Sequence, residues 1–484
     1  MPTPAHPYLA GRFRAAASDD VRPVVSPVTG EVLAELSVAG REDADRAVAA
    51  AREAFDDYRH WSTYERAELC HRIARLIEGD SEELARLTTL EQGKPYRAEA
   101  LVDVEDTASL FATSAEDAIR LYGEVIPSTS RHKRMLTYRA PVGVWAAITP
   151  WNFPLMIMTE FVAPALATGN AVVAKPPAHT PLACLRLGEL LTEAGVPAGL
   201  VSILPGDGSL GETLVTHPGV DAIGFVGSSS TADRIVRAAG LKRSIIEASG
   251  NGPVIVLDDA DLAHAAQAAV YGAYWNAGQV CCATERVLVQ AAVRADFLAE
   301  VDKARAAVVL GDPFDDATTM GPLNNELSAQ KMDRHVADAV ARGATLVTGG
   351  GRRAGMPTDL YYEFTVLDGV RPEMAVAAEE SFGPMLPVIG VDGDDAELLR
   401  LANADPLGLQ GAVFTRSLER AFRVGEGLRC GSVVVNDSTD YFENAQPFGG
   451  AAGTRTGWGR VGGLEQLRDM TDTRCLIIGL SRED

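Results

Sequence analysis

The sequence predicts an α/β protein built on parallel sheets, and three observations carry that prediction. From Leu136 onward, short apolar runs rich in β-branched residues alternate with helical stretches of about ten to fifteen residues, which is the pattern of βαβ units. The alternation comes in two series that meet between 250 and 255, so two successive α/β units are expected. A chain of 484 residues with 46% hydrophobic and 23% charged residues has apolar material for more than one core and lies far from disordered or fibrous compositions.

The opening third is expected to be a mainly helical cover. Residues 43–57, 65–78 and 81–91 carry apolar side chains at helical spacing. Ser81, with Glu82 and Glu83 behind it, is expected to cap the third helix, and Gly93, Lys94 and Pro95 end it. LTYRAPVGVWAAITP at 136–150 reads as strand, followed by a Trp-Asn-Phe-Pro turn and a helix over 155–167. Strands at 171–175, 201–205, 222–227 and 244–249 then alternate with helices, one over 181–194 and one running to Thr216. The second series starts with PVIVLDDA at 253, continues through a helix at 261–275, the strand RVLVQ and a helix at 293–307, and reaches GSVVVND at 431–437. DTRCLIIGL at 472–480 adds a last strand suited to pairing with another chain or domain.

Composition excludes several function classes. With 44 Lys and Arg against 66 Asp and Glu the formal charge is −22, which repels phosphate backbones and anionic lipid, so neither a nucleic-acid nor a membrane partner is expected. The one compact basic run, Arg131, His132, Lys133 and Arg134, reads as a solvated strand edge. Six scattered cysteines without a paired framework, behind an N-terminus with no leader pattern, point to a reduced, cytoplasmic protein. No stretch approaches the roughly 20 apolar residues of a spanning helix. Eight histidines without HxH or HExxH spacing give no metal site, and His179 and His217 read as surface or capping residues.

Chemistry gathers around residues 274–283, YWNAGQVCCA, where Cys281 and Cys282 follow a small, flexible, polar segment. A cysteine attacks carbon as thiolate and needs exposure, donors and a base; a buried pair of small hydrophobes is the plain alternative. Glu247, between SII and Ala248-Ser249-Gly250, reads as a carboxylate raised toward neutrality and able to act as base, or as an exposed strand end. Asn152, in the turn Pro150-Trp151-Asn152-Phe153-Pro154, reads as a rigidly held oxyanion donor or as a helix cap. Lys175 closes an apolar strand and faces either the ligand crevice of a parallel sheet or solvent. The turn 206–211, GDGSLG, offers in Gly208 and Gly211 either a phosphate cradle at a helix N-terminus or merely a tight turn.

The order and spacing of ITPWNFPL (148–155), GNAVVAKPP (169–177), GFVGS (224–228), EASG (247–250), NAGQVC (276–281), EESFGP (379–384) and PFGG (447–450) resemble the aldehyde dehydrogenase superfamily over almost the whole chain. The resemblance implies two doubly wound parallel-sheet domains, a Rossmann-like cofactor domain (1–123 and 143–252) and a catalytic domain (253–465), plus a small oligomerisation element (124–142 and 466–484). It implies NAD or NADP as cofactor, a small aldehyde as substrate, and assembly as a homodimer or homotetramer. In that frame Cys281 attacks the aldehyde carbon, Asn152 and a backbone N–H hold the oxyanion, and Glu247 activates the water that hydrolyses the thioester. Lys175 and Ser228 would hold the adenosine ribose and pyrophosphate, Glu380 the nicotinamide ribose, and Phe225, Gly227, Trp151 and Phe382 would shape the cofactor site. Glu160, Tyr441, Phe442 and Phe448 would line the substrate pocket.

Five departures from the family pattern qualify these expectations. Ala178 stands where NAD-preferring members often have a glutamate, so NADP should be tolerated. EASG and Val226 replace more usual residues without removing a catalytic group, and AAGTRTGWGR after PFGG leaves the loop shape open. Glu160 occupies the position at which succinate-semialdehyde dehydrogenases carry an arginine, so acids should be poor substrates and neutral, aromatic or cationic aldehydes better ones. An acylating, CoA-dependent enzyme and a non-catalytic protein that kept the fold are the alternatives, and Glu247 speaks against both.

Overall fold

The computed structural model describes residues 3–480 and centres on two large sheets. In the first, five strands are mutually parallel, in the spatial order Arg243–Ala248, Ala222–Gly227, Val144–Ile148, Ala171–Lys175, Val201–Ile203. These strands are buried, as their unbroken runs of small and β-branched residues require once helices cover both faces. Chain order reverses between Val144–Ile148 and Ala222–Gly227, which opens a crevice at their carboxyl ends. The turn with Asn152 leaves one of these strands and Ser228 leaves the other.

The second sheet has six parallel strands, in the order Thr365–Asp368, Met385–Val391, Arg286–Gln290, Pro253–Val256, Gln410–Phe414, Ser432–Val435, with Thr345–Thr348 antiparallel at one edge. The doubly wound α/β architecture expected from the sequence is therefore present twice. Pro154–Thr168 is buried at every residue because it runs between the first sheet and the helices Thr63–Gly79 and Leu101–Ile119.

Several local expectations are corrected. Ser81 is the first residue of its helix, and Asp80 stands at the N-cap without a side-chain cap bond. The opening third also contains strands: Thr3–Ala5, Val21–Val25 and Val32–Ser37 form a small sheet of their own. The loop after PFGG sends a two-residue strand, Gly457–Trp458, to the edge of the first sheet, where Gly457 pairs with Glu247 and Trp458 with Ile246. Residues 457–458, expected with the second unit, thus extend the edge of the first sheet. A Cβ on Gly457 would sit 2.2 Å from the Ile246 carbonyl oxygen, so only glycine allows that approach.

Residues 124–142 and 466–484 do come together, with Thr471–Gly479 antiparallel to Lys133–Pro141 and Val125–Ile126 beyond it; residues 481–484 lie outside the described residues. Thr471–Gly479 is the edge strand and exposes Leu476, Ile477 and Ile478. Among the described residues no helix is long and apolar enough to cross a membrane, and no group of His, Cys, Asp and Glu could hold a metal ion.

Candidate active site

The segment before Cys281 is held, where flexibility was expected. The helix Leu262–Tyr274 ends in a short 3-10 turn, and Asn276, Ala277 and Gly278 all adopt left-handed backbone, at φ of 50°, 53° and 70°. For Asn and Ala this costs about 1–2 kcal/mol each, so neighbours must impose it. The Asn276 N–H donates to Glu99 (3.0 Å), its Nδ2 donates to the carbonyls of Asn152 (3.0 Å) and Gln279 (3.3 Å), and its Oδ1 accepts from Gln92 Nε2 (2.9 Å). The turn leaves Cys281 half-buried and Cys282 buried.

Asn152 reaches the same carbonyl from the other side: its Nδ2 donates to Gln279 O at 3.0 Å, and its Oδ1 is buried without a partner. The helix cap is Phe153, with Pro154 at the first helical position, so the capping alternative for Asn152 is not realised. Glu247 comes from the end of Arg243–Ala248 and is 4% exposed, so the exposed-strand-end alternative also fails. Burial pushes its carboxyl up to about 7, opposed by the neighbouring Cys281 thiol. Cys281 is pushed well above the ordinary thiol range by its hydrogen bond with Cys282, by burial and by the Glu247 and Glu160 carboxyls. It therefore rests as a thiol and needs a base at the moment of attack. A Cβ on Gly250 would lie 2.1 Å from the Cys281 carbonyl oxygen, so the backbone beyond Glu247 packs directly on the nucleophile.

Two cavities meet at these residues, because Cys281 and Glu247 line both. The larger, 1160 Å³, lies at the crevice where strand order reverses and contains Trp151, Asn152, Gly227, Ser228, Glu380 and Phe382. Trp151 and Phe382 meet edge to face at 5.6 Å. Glu380 accepts from the Gly250 N–H at 2.9 Å. Ser228 caps the helix Ser229–Ala239, its hydroxyl accepting from Thr231 N–H, so a helix N-terminus opens into the groove. Glu285, missed from sequence, accepts the N–H groups of Ser381 (2.9 Å) and Phe382 (2.8 Å) and holds Phe382 at φ 56°. His179, read as a surface residue, lines this groove near Trp151.

Other expected cofactor residues lie elsewhere. At the turn 206–211 the helix N-terminus is already filled by the chain's own carboxylate: Asp207 accepts from the N–H groups of Ser209 (2.9 Å) and Leu210 (3.4 Å). Neither Gly208 nor Gly211 is among the residues lining the groove. Lys175 is buried, with Nζ donating to the Gly206 carbonyl at 2.9 Å; burial lowers it to about 8, and it is set back from the groove lining. Phe225 is buried beneath Gly227 and is likewise absent from the lining.

The smaller cavity, 330 Å³, contains Glu160, Tyr441, Phe442 and Phe448 as expected, together with Phe153, Met156, Tyr271 and Trp275. Phe442 and Phe448 meet edge to face at 5.4 Å, and Tyr441 donates to Glu443 at 2.6 Å. No cation stands beside Glu160 in this lining; burial, with the Glu247 and Asp106 carboxyls nearby, pushes its own carboxyl well above the ordinary range.

Comparison with known proteins follows the same lines. The pattern of the aldehyde dehydrogenase family matches residues 13–476. The 3-sulfolactaldehyde dehydrogenase of Pseudomonas putida is 38% identical, over 98% of this chain and 96% of its own. The betaine aldehyde dehydrogenase of Bacillus subtilis is 37% identical, over 96% of each. A solved P. syringae indole-3-acetaldehyde dehydrogenase in complex with NAD+ and IAA superposes with a TM-score of 0.95 at 38% identity, covering 99% of this chain and 97% of that one.

Proposed function

The chain belongs to the aldehyde dehydrogenase family and oxidises an aldehyde with NAD or NADP; on that premise we propose that Cys281, Glu247 and Asn152 carry the reaction. The observation that supports this most is the meeting of the larger groove and the smaller, aromatic-rich cavity at Cys281 and Glu247 alone among the proposed catalytic side chains.

The groove fits a dinucleotide in kind: a helix N-terminus at Ser228 for phosphate, a carboxylate at Glu380 for a ribose hydroxyl, and the Trp151 and Phe382 rings near Cys281 for a flat heterocycle. Bound there, NAD or NADP supplies the hydride acceptor. The aldehyde occupies the smaller cavity. Cys281 passes its proton to a base as the C–S bond forms, and Glu247, beside it and at about 7, is able to take it. Asn152 Nδ2 has a second hydrogen beyond the one given to Gln279, and this donates to the oxyanion of the thiohemiacetal. Loss of hydride leaves a thioester on Cys281. Glu247, having released the first proton to solvent, then removes a proton from water as the water attacks and passes it to the departing sulfur, which frees the acid and restores the thiol.

The relatives' names do not choose a substrate, since sulfolactaldehyde and betaine aldehyde carry opposite charges. We propose an aldehyde without a carboxylate, in keeping with Glu160 where an anion would need a cation. The exposed strand Thr471–Gly479, with its unpaired edge and apolar side chains, supports assembly into a homodimer or homotetramer. The mechanism is tested by intact-mass measurement of Glu247→Gln mixed with aldehyde and NAD. A thioester adduct on Cys281 is expected to form more slowly in this variant than in the wild type, because the attack also loses its base, but to persist there and not in the wild type. Turnover of Glu247→Gln at the wild-type rate, with no adduct, overturns the assignment of Glu247; wild-type turnover that requires CoA points to acyl transfer to a thiol in place of hydrolysis.

A further inference from the structure

The charge of the smaller cavity is one-sided. Its lining holds five carboxyls, Asp106, Glu160, Glu247, Asp437 and Asp440, and no Lys, Arg or His. They arrive from separate elements: Asp106 from Leu101–Ile119, Glu160 from Pro154–Thr168, Glu247 from the first sheet, and Asp437 and Asp440 from the segment after Ser432–Val435. Lys94 stands behind Phe153, with Nζ 3.6 Å from the ring centroid, but it is paired with Asp103 and does not line the cavity.

Only Glu247 of the five has a part in the proposed chemistry. Glu160 is 6% exposed, borders the cavity, and its carboxyl makes no hydrogen bond or ion pair with any described residue. Asp440 is 8% exposed, and its Oδ1 is buried with no partner. Buried carboxyls are ordinarily paired, because an unpaired one forfeits its hydration without return. Glu160 is thus an unpaired carboxyl at the cavity, and Asp440, which also bonds Ser438, leaves one oxygen unmet beside it. The rest of the wall is aromatic and aliphatic: Tyr271 and Trp275 lie stacked at 6.4 Å, with Phe153 5.5 Å from Trp275, beside side chains such as Met156 and Ile157. Aromatic faces attract cations and give nothing to anions.

We propose that this cavity selects aldehydes bearing a positively charged ammonium group, held by Glu160 and Asp440 against the faces of Trp275 and Tyr271 while the aldehyde carbon reaches Cys281. The inference rests on the proposed placement of the aldehyde in this cavity. A volume of 330 Å³ suits a small molecule of this kind. A carboxylate or sulfonate in the same place would meet five acids and no cation.

The test compares two aldehydes of the same shape, trimethylammonioacetaldehyde and 3,3-dimethylbutanal, which differ by a nitrogen cation in place of a carbon. Wild-type kcat/KM is expected to favour the cation at least tenfold. Glu160→Gln and Asp440→Asn should each reduce the cation-to-neutral ratio about tenfold. Tetramethylammonium should compete with the neutral aldehyde in the wild type, a readout that does not depend on any variant folding. A ratio at or below one, with no competition by tetramethylammonium, overturns the charge inference while leaving aldehyde oxidation in place. Failure to oxidise either aldehyde, when other aldehydes are oxidised, overturns the placement of the substrate in this cavity and the inference with it.

Discussion

Asn276 is the position at which the hold on the nucleophile can be measured. Its side chain makes three buried hydrogen bonds, to the Asn152 and Gln279 carbonyls and from Gln92 Nε2. Asn276→Ala leaves the Asn152 carbonyl and the Gln92 amide without these partners, while the Gln279 carbonyl keeps the Asn152 Nδ2 bond. At about 1–3 kcal/mol for each orphaned group, the loss is about 2–6 kcal/mol. Alanine at a φ of 50° adds about 1–2 kcal/mol of left-handed strain. Asn276→Gly loses the same bonds without the strain, but gives back about 0.5–1 kcal/mol through its freer unfolded chain. Both variants should therefore unfold earlier in denaturant, alanine earlier than glycine by about 1 kcal/mol. Because the turn sets the direction of Cys281, kcat/KM should fall roughly 100-fold in both, the scale of a displacement near 1 Å. Denaturation midpoints and initial rates, taken on the same preparations, make the comparison. If Asn276→Gly matches the wild type in both, the hydrogen-bond network does not position the nucleophile.

Four further outcomes follow from the site. Cys281→Ser should lose more than about a thousandfold in kcat, and Cys282→Ser should keep most of the activity; equal losses would put the nucleophile in doubt. Glu247, raised to about 7, is protonated below that pH, so steady-state turnover should climb from pH 6 to 8 and Glu247→Gln should flatten the profile. Glu91 is raised to about 8 by burial, so the folded state keeps a proton that the unfolded chain loses near its ordinary value; this favours folding at low pH and is lost as pH rises toward 8, and Glu91→Gln should lessen that decline in thermal melts at a series of pH values. With Ala178 where a glutamate would repel a 2′-phosphate, kcat/KM for NADP should lie within about tenfold of that for NAD; a far lower value with NADP would refute the role given to this position.

The parts legible in the sequence were those encoded locally. Strands such as Ala171–Lys175 and Ala222–Gly227 coincide with their apolar runs because parallel strands buried on both faces read as unbroken apolar segments. Cys281, Glu247 and Asn152 each stood inside a distinctive short motif. What escaped was what tertiary structure assembles: Asp106, Tyr271 and Asp440 come from separate positions, and nothing beside any of them marks a pocket wall. Gly457–Trp458 is too short for any periodicity to show. At the turn 206–211 the sequence left a phosphate cradle and a plain turn open, although an Asp immediately before the helix is a ready N-cap that competes with phosphate for the same N–H groups.

The meeting of two cavities at Cys281 and Glu247 also bears on traffic. On the proposed placement, with the dinucleotide in one cavity and the aldehyde in the other, the two linings share only Cys281 and Glu247, and Tyr441 is exposed at the second. The acid can depart past Tyr441 while the reduced nucleotide is still seated, and a fresh aldehyde can arrive before the nucleotide is exchanged. Any fixed sequence of arrivals and departures in this protein must then come from differences in affinity or from movement of the walls, since the passages themselves impose no queue.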